Sequence, residues 1–97
     1  MDPDIGRITR SLQGRRQRAT YDAVAQLLGC ETRGFMEGEE RNYQNSWVVA
    51  VKNGLPNKYQ QHEIDPALLV AREAGEDVID NSRDLQAWLD RDLGTFD

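Results

Sequence analysis

Arg18-Ala-Thr-Tyr-Asp-Ala-Val-Ala-Gln-Leu-Leu-Gly-Cys-Glu-Thr-Arg-Gly34 is the stretch on which the fold turns. Thr20 can cap a helix because its hydroxyl accepts one of the N–H groups that a helix start leaves unpaired. Asp22 then sits in the first turn, where the helix dipole favours negative charge, and Tyr21, Val24, Ala25 and Leu28 repeat at helical spacing. Gly29 ends this helix, since glycine tolerates the left-handed turn that closes one. Only Cys30 and Glu31 separate it from a third helix predicted to start near Thr32 with Phe35 and Met36 turned inward. So short a link is helix-turn-helix spacing. Gly34 and Gly38 each weaken a helix interior by about 1 kcal/mol relative to alanine, so tertiary contacts must hold this third helix.

Working outward, Asp2-Pro3 opens a first helix whose apolar face is Ile5, Ile8 and Leu12, and Gly14 is its expected end. Arg15, Arg16 and Arg18 follow as a basic connector. Downstream, Trp47-Val-Val-Ala-Val51 is β-branched and aromatic, and Asn53-Gly54 supplies the positive-φ pair that a two-residue hairpin turn requires. Leu55 to Gln60 should return as the second strand, confined to a sheet edge by Pro56, which has no N–H. Asp65-Pro66 then repeats the cap-and-proline signal before a helix over Ala67 to Ala74 closed by Gly75. Val78-Ile79 is a short apolar stretch, and Asn81 or Ser82 caps a last helix with Leu85, Trp88, Leu89 and Leu93 on one face. The fold expected is mainly α with a small β-hairpin: a winged helix-turn-helix with extra C-terminal helices. A single domain of residues 1–97 is expected, 1–60 forming the helix-turn-helix and wing and 61–97 an acidic helical extension.

The chain has 97 residues, enough for one small core but not for two domains. No apolar run approaches the roughly 20 residues of a membrane span, and the N-terminal residues lack the apolar stretch of a signal peptide. With a single cysteine, no internal disulfide can form, so a cytoplasmic domain that does not enter a membrane is expected. The net charge is −5, but it is unevenly spread. Residues 1–59 hold nine basic against seven acidic side chains, and residues 60–97 hold three against ten. The acidity therefore belongs to the C-terminal third, and overall charge is a poor guide to what the rest touches.

Little in the chain resembles catalytic machinery. Cys30, the one thiol, lies just before a helix start beside Glu31, and a free cysteine commonly packs as a small hydrophobe unless its surroundings are electropositive. His62 lacks the second histidine of a zinc site, and there is no Cys-x-x-Cys, phosphate-cradling glycine loop or Ser-His-acid set. No enzymatic activity, cofactor or metal is expected. The basic groups before the helix-turn-helix, with Lys52 and Lys58 on the proposed wing, could instead follow DNA phosphates. They could equally be the solvated side of an amphipathic helix and its loop. Glu37, Glu39 and Glu40 on the third helix would face DNA badly unless they point away.

The ordered series Thr20-Tyr21…Val24-Ala25…Leu28-Gly29, then Thr32-Arg33-Gly34, then Val48-Val49, Asn53-Gly54 and Tyr59 resembles the DNA-binding half of alkylguanine-DNA alkyltransferases and alkyltransferase-like proteins. The resemblance spans roughly residues 15–60. It implies that Tyr21 presses on a DNA phosphate and that Arg33 enters the base stack in place of a flipped nucleotide. The reactive Cys-His-Arg of that family is absent, because aligning Val48-Val49 puts Asn45, Ser46 and Trp47 at those positions. Alkyl transfer is thereby excluded, and the stretch from Arg33 to Trp47 is shorter than in the family.

The expected function is a non-enzymatic protein that binds double-stranded DNA. Arg15, Arg16, Arg18, Lys52 and Lys58 would meet phosphates, Tyr21 and Arg33 would touch backbone and bases, and Asn45 and Trp47 would border a base-sized pocket. The competing expectation is an acidic protein-interaction module on the same scaffold, in which the C-terminal third binds a protein partner or masks the basic face.

Overall fold

The computed structural model describes residues 5–31 and 41–94. The helix predicted from Thr32, with Arg33 on it, and the Asp2-Pro3 cap lie outside the described residues. Helix α1 spans Ile5–Arg15 and buries Ile8, Thr9 and Leu12. Helix α2 spans Tyr21–Leu28, α3 Pro66–Glu73 and α4 Ser82–Gly94. Three short strands, β1 (Arg18–Thr20), β2 (Val48–Val49) and β3 (Val78–Ile79), form one sheet.

The capping signals are realised at α2 and α3. The Thr20 hydroxyl accepts from Ala23 N at 3.1 Å, and Gly29 takes a left-handed φ of 75°. Asp65 caps α3 by accepting from Ala67 N at 3.0 Å, with Pro66 in the first turn. Gly75, at φ 71°, lets the chain leave that helix. The Asn81 side chain accepts from Asp84 N at 2.8 Å and so begins α4.

Helix α1 does not stop at Gly14. It runs on to Arg15, and Arg16 takes the left-handed conformation at φ 55°. Arg16 N then bonds Gln13 O at 3.2 Å and Gln17 N bonds Leu12 O at 3.0 Å, the paired closure of a Schellman motif. An arginine there bears the strain that glycine avoids. Arg16→Gly is therefore expected to stabilise the fold by about 0.5–1 kcal/mol, net of the glycine's greater freedom when unfolded, measured by urea denaturation.

The sheet departs from the predicted hairpin. Its order is β2-β1-β3 and both pairings are parallel, Ala19 opposite Val48 and Arg18 opposite Val78. A turn forms here, but not the expected two-residue one: Gly54 alone of the pair takes a positive φ, at 67°, and the turn is closed more widely, by Gly54 N bonded to Ala50 O and Ala50 N bonded to Leu55 O, both at 2.9 Å. Leu55 to Gln60, however, is not a strand. The groups a return strand would need are committed elsewhere: Pro56 is buried and has no N–H, the Asn57 N–H goes to the Tyr21 hydroxyl, and the carbonyls of Asn53 and Gly54 go to arginines. The β-branched run is also cut short, since Val51 is 73 % exposed.

One buried cluster joins Ile8 and Leu12 of α1, Ala19 of β1, Val24 of α2, Trp47, Val48 and Val49, Leu68 of α3, and Leu85 and Leu89 of α4. The acidic third is thus not an appendage. It supplies an outer strand and a share of the core, and α4 packs chiefly on α2.

Candidate nucleic-acid interface

In a sheet of parallel strands, ligand sites gather where the strands end and the following helices begin, because loops and helix N–H groups converge there. Here that edge is a shallow cleft of about 340 Å³ lined by Thr20 and Val49 at the strand ends, Tyr21 and Asp22 at the start of α2, and Ala50, Val51, Lys52 and Asn57. The Tyr21 hydroxyl accepts a hydrogen bond from Asn57 N at 2.8 Å, which ties the loop over 50–58 to α2. Lys52 and Lys58 are exposed on that loop, and Lys58 holds a left-handed φ of 63°. Arg41 lies near enough to Tyr21 for its charge to act on the phenol.

Burial raises the Tyr21 pKa, while the Asn57 N–H and the Arg41 charge pull it down less strongly. A phenol whose folded pKa is raised contributes stability below its unfolded value of about 10 that is lost as pH rises through the folded value. Stability should therefore decline above about pH 10, and Tyr21→Phe should flatten that decline. Alkaline unfolding of the two proteins followed by circular dichroism checks this.

The predicted contact residues are sorted by the fold into different surroundings. Tyr21 and Lys52 line the cleft and Lys58 adjoins Asn57 on the same loop. Arg15 and Arg16 are exposed but lie where the chain enters β1, at the strand end opposite the cleft. There the neighbouring Gln17 side chain donates to Asp77 O at 2.8 Å, so acidic residues border this basic connector. Arg18 is removed from the surface. It is 5 % exposed, with Nη1 donating to Gly54 O at 3.3 Å and Nη2 to Glu76 O at 2.7 Å. Burial first, and the charge of Arg72 second, hold its pKa below the usual arginine value, with Glu76 opposing them.

Asn45 and Trp47 are interior parts rather than walls of a base pocket. Residues Asn45–Trp47 form a 3-10 turn in which all three are buried. Asn45 Oδ1 accepts from Asn42 N at 3.0 Å and from the Tyr59 hydroxyl at 2.9 Å. The Ser46 hydroxyl donates to Tyr43 O at 2.8 Å and accepts from Asp65 N at 3.2 Å. Trp47 is fully buried, and its indole N–H donates to Asp65 Oδ2 at 3.1 Å, the carboxylate that also caps α3. Together these three residues lock the 3-10 turn to α3 and to Tyr59.

Sequence reasoning missed Arg41, Val51 and Asn57. Asn57 acts through its backbone, which no side-chain pattern reveals, and Arg41 draws its place from a tertiary approach to Tyr21. A second, more open cleft of about 510 Å³ is lined by Arg41, Asn42, Tyr43, Gln44, His62 and Glu63. Several of its polar groups are already engaged: Gln44 donates to Thr9 and Gly6, Asn42 accepts from Asn45 N, and Glu63 accepts from Gln60 N. Among the described residues no group of three or more His, Cys, Asp or Glu side chains is placed to hold a metal, and Cys30 is exposed. No helix of the described residues is long and apolar enough to cross a membrane. No known family model, curated protein or solved structure matches the chain.

Proposed function

We propose that this chain is a non-enzymatic double-stranded DNA-binding protein of the alkyltransferase-like kind, with loop 50–58 in the role of the wing. The observation that carries the reading is the meeting of Tyr21, Lys52 and Asn57 at one cleft, beside Arg41 and Lys58, where α2 begins. A tyrosine, exposed cations and a helix start gathered at one edge suit a phosphate backbone. Asp22 in the same cleft offsets part of the positive potential. The footprint differs from that read in the sequence, since Arg15 and Arg16 lie at the opposite strand end, Arg18, Asn45 and Trp47 are given structural work, and Arg41 joins.

Salt dependence tests it. Phosphate contacts by Lys52, Lys58 and Arg41 would give a slope of log K against log salt of about −2.7, hence an affinity loss of about fortyfold between 50 and 200 mM salt. Lys52→Ala should make that slope shallower by about 0.9. Fluorescence anisotropy of a labelled duplex measures both, and no binding at micromolar protein in low salt rules the reading out.

A second reading, a protein-interaction module, draws on a different observation: Glu76 and Asp77 border the connector at Gln17 and Arg18. A partner of that module would meet this mixed-charge end and the acidic C-terminal third, leaving the cleft untouched. Duplex binding lost with Lys52 and Lys58 but indifferent to Glu76→Gln separates the two.

A further inference from the structure

We propose that Arg18 and Arg72 are positioning residues for DNA binding: together they grip successive carbonyls of the Asn53-Gly54 turn and so fix where the loop bearing Lys52 and Lys58 is held. The inference rests on the DNA reading above. Arg72 Nε, reaching from α3, donates to Asn53 O at 2.7 Å, and Arg18 Nη1, reaching from β1, donates to Gly54 O at 3.3 Å. Arg18 simultaneously holds Glu76 O at 2.7 Å, so one guanidinium spans the turn and the exit of α3. Gly54 makes the approach possible, since a methyl group built on it would meet Arg18 Nη1 at 2.5 Å.

As a means of closing a turn this arrangement is uneconomical. It buries a charge, brings a second like charge close enough to lower the Arg18 pKa, and leaves Arg18 Nε buried with no hydrogen-bond partner among the described residues. A buried charge is tolerated at a cost that apolar packing would avoid, so stability alone gives little reason for it. What it achieves is geometric. The planar fork of an arginine holds two carbonyls in one fixed geometry, whereas lysine's ammonium is a point charge on a flexible stem and an apolar side chain donates nothing.

The loop it holds has no strand or helix between Ala50 and Gln60, and such segments are ordinarily mobile. This one is tied at Ala50 to Leu55, at Asn53 and Gly54 to the two arginines, at Asn57 to Tyr21, and at Tyr59 to Asn45. Its exposed lysines are thereby placed before a phosphate arrives, and binding is spared the cost of ordering them. Neither arginine need touch DNA for affinity to depend on it.

The test uses Arg72, because it is exposed and its removal should leave the fold intact. In Arg72→Met, amide hydrogen exchange at Gly54, Leu55 and Asn57 should quicken and duplex affinity should fall about five- to tenfold, while the salt slope stays as in the unsubstituted protein. Arg72→Lys should recover part of the affinity. Lys52→Ala, a phosphate contact, should change the slope instead. An unchanged affinity in Arg72→Met overturns the proposal, as does a slope shallower by about 0.9, which would make Arg72 itself a phosphate contact. If the unsubstituted protein binds no duplex, the DNA reading fails with no bearing on the grip. Unchanged exchange at Gly54 and Leu55 would remove the grip whether or not DNA binds.

Discussion

Trp47→Ala should cost about 3–5 kcal/mol, a large part of the roughly 5–15 kcal/mol by which domains of this size are stable. Trp47 is the largest fully buried side chain, and it stands among Ile8, Leu12, Val24, Val48, Val49 and Leu68 in a core with few other large members. So small a core cannot collapse around the hole at little cost. The indole also donates to Asp65, whose other oxygen caps α3, so the substitution removes packing and a hydrogen bond that fixes the carboxylate. Trp47→Phe keeps most of the apolar volume and should cost less, about 1–2 kcal/mol, from the lost N–H bond and the smaller ring. Urea denaturation of the two variants checks the order. A Trp47→Ala protein as stable as the parent would mean that the side chain borders a cavity after all.

Gly54→Ala is expected to be the most damaging single-methyl change, at about 2–4 kcal/mol. Two independent causes add. The residue sits at φ 67°, where an L side chain is strained, and the new methyl would fall 2.5 Å from Arg18 Nη1. Arg18 cannot simply swing away, because it is buried and committed to Glu76 O. Each kcal/mol should lower Tm by about 4–8 °C in a domain of this length, so thermal unfolding reads the effect directly. Gly29→Ala is the contrast: it shares the left-handed backbone, at φ 75°, but a methyl there meets nothing within 4 Å. It should cost only the conformational part, about 1–2 kcal/mol.

Local chemistry was legible in the sequence. Thr20 and Asp65 as caps, and Gly29 and Gly75 as exits, follow from hydrogen-bonding needs satisfied within a few residues and the structure places each as read, while of the two candidates Asn81 and Ser82 it is Asn81 that caps α4. Helix α1 overran Gly14 by a residue because the hydrogen-bonding pattern of its closure, not the preference of any one residue, decides which position takes the left-handed turn. The hairpin failed for a non-local reason. Val48 and Val49 find a parallel partner in a strand 29 residues earlier in the chain, Ala19 opposite Val48, and no window around Asn53-Gly54 contains that information. Arg18 looked like its exposed neighbours Arg15 and Arg16, since a charge pattern does not reveal that the turn at Gly54 will close over one of three arginines. The same holds for Trp47, whose partner Asp65 lies 18 residues further on.

Residue-by-residue amide shifts during titration with a short duplex at low salt measure the main point most directly. The cleft at the start of α2 is predicted to be the contact surface, so Tyr21, Val51, Lys52, Asn57 and Lys58 should move together, and Arg83 and Gln86 on α4 should stay still. Shifts confined to residues 76–91, or none at saturating duplex, would contradict it.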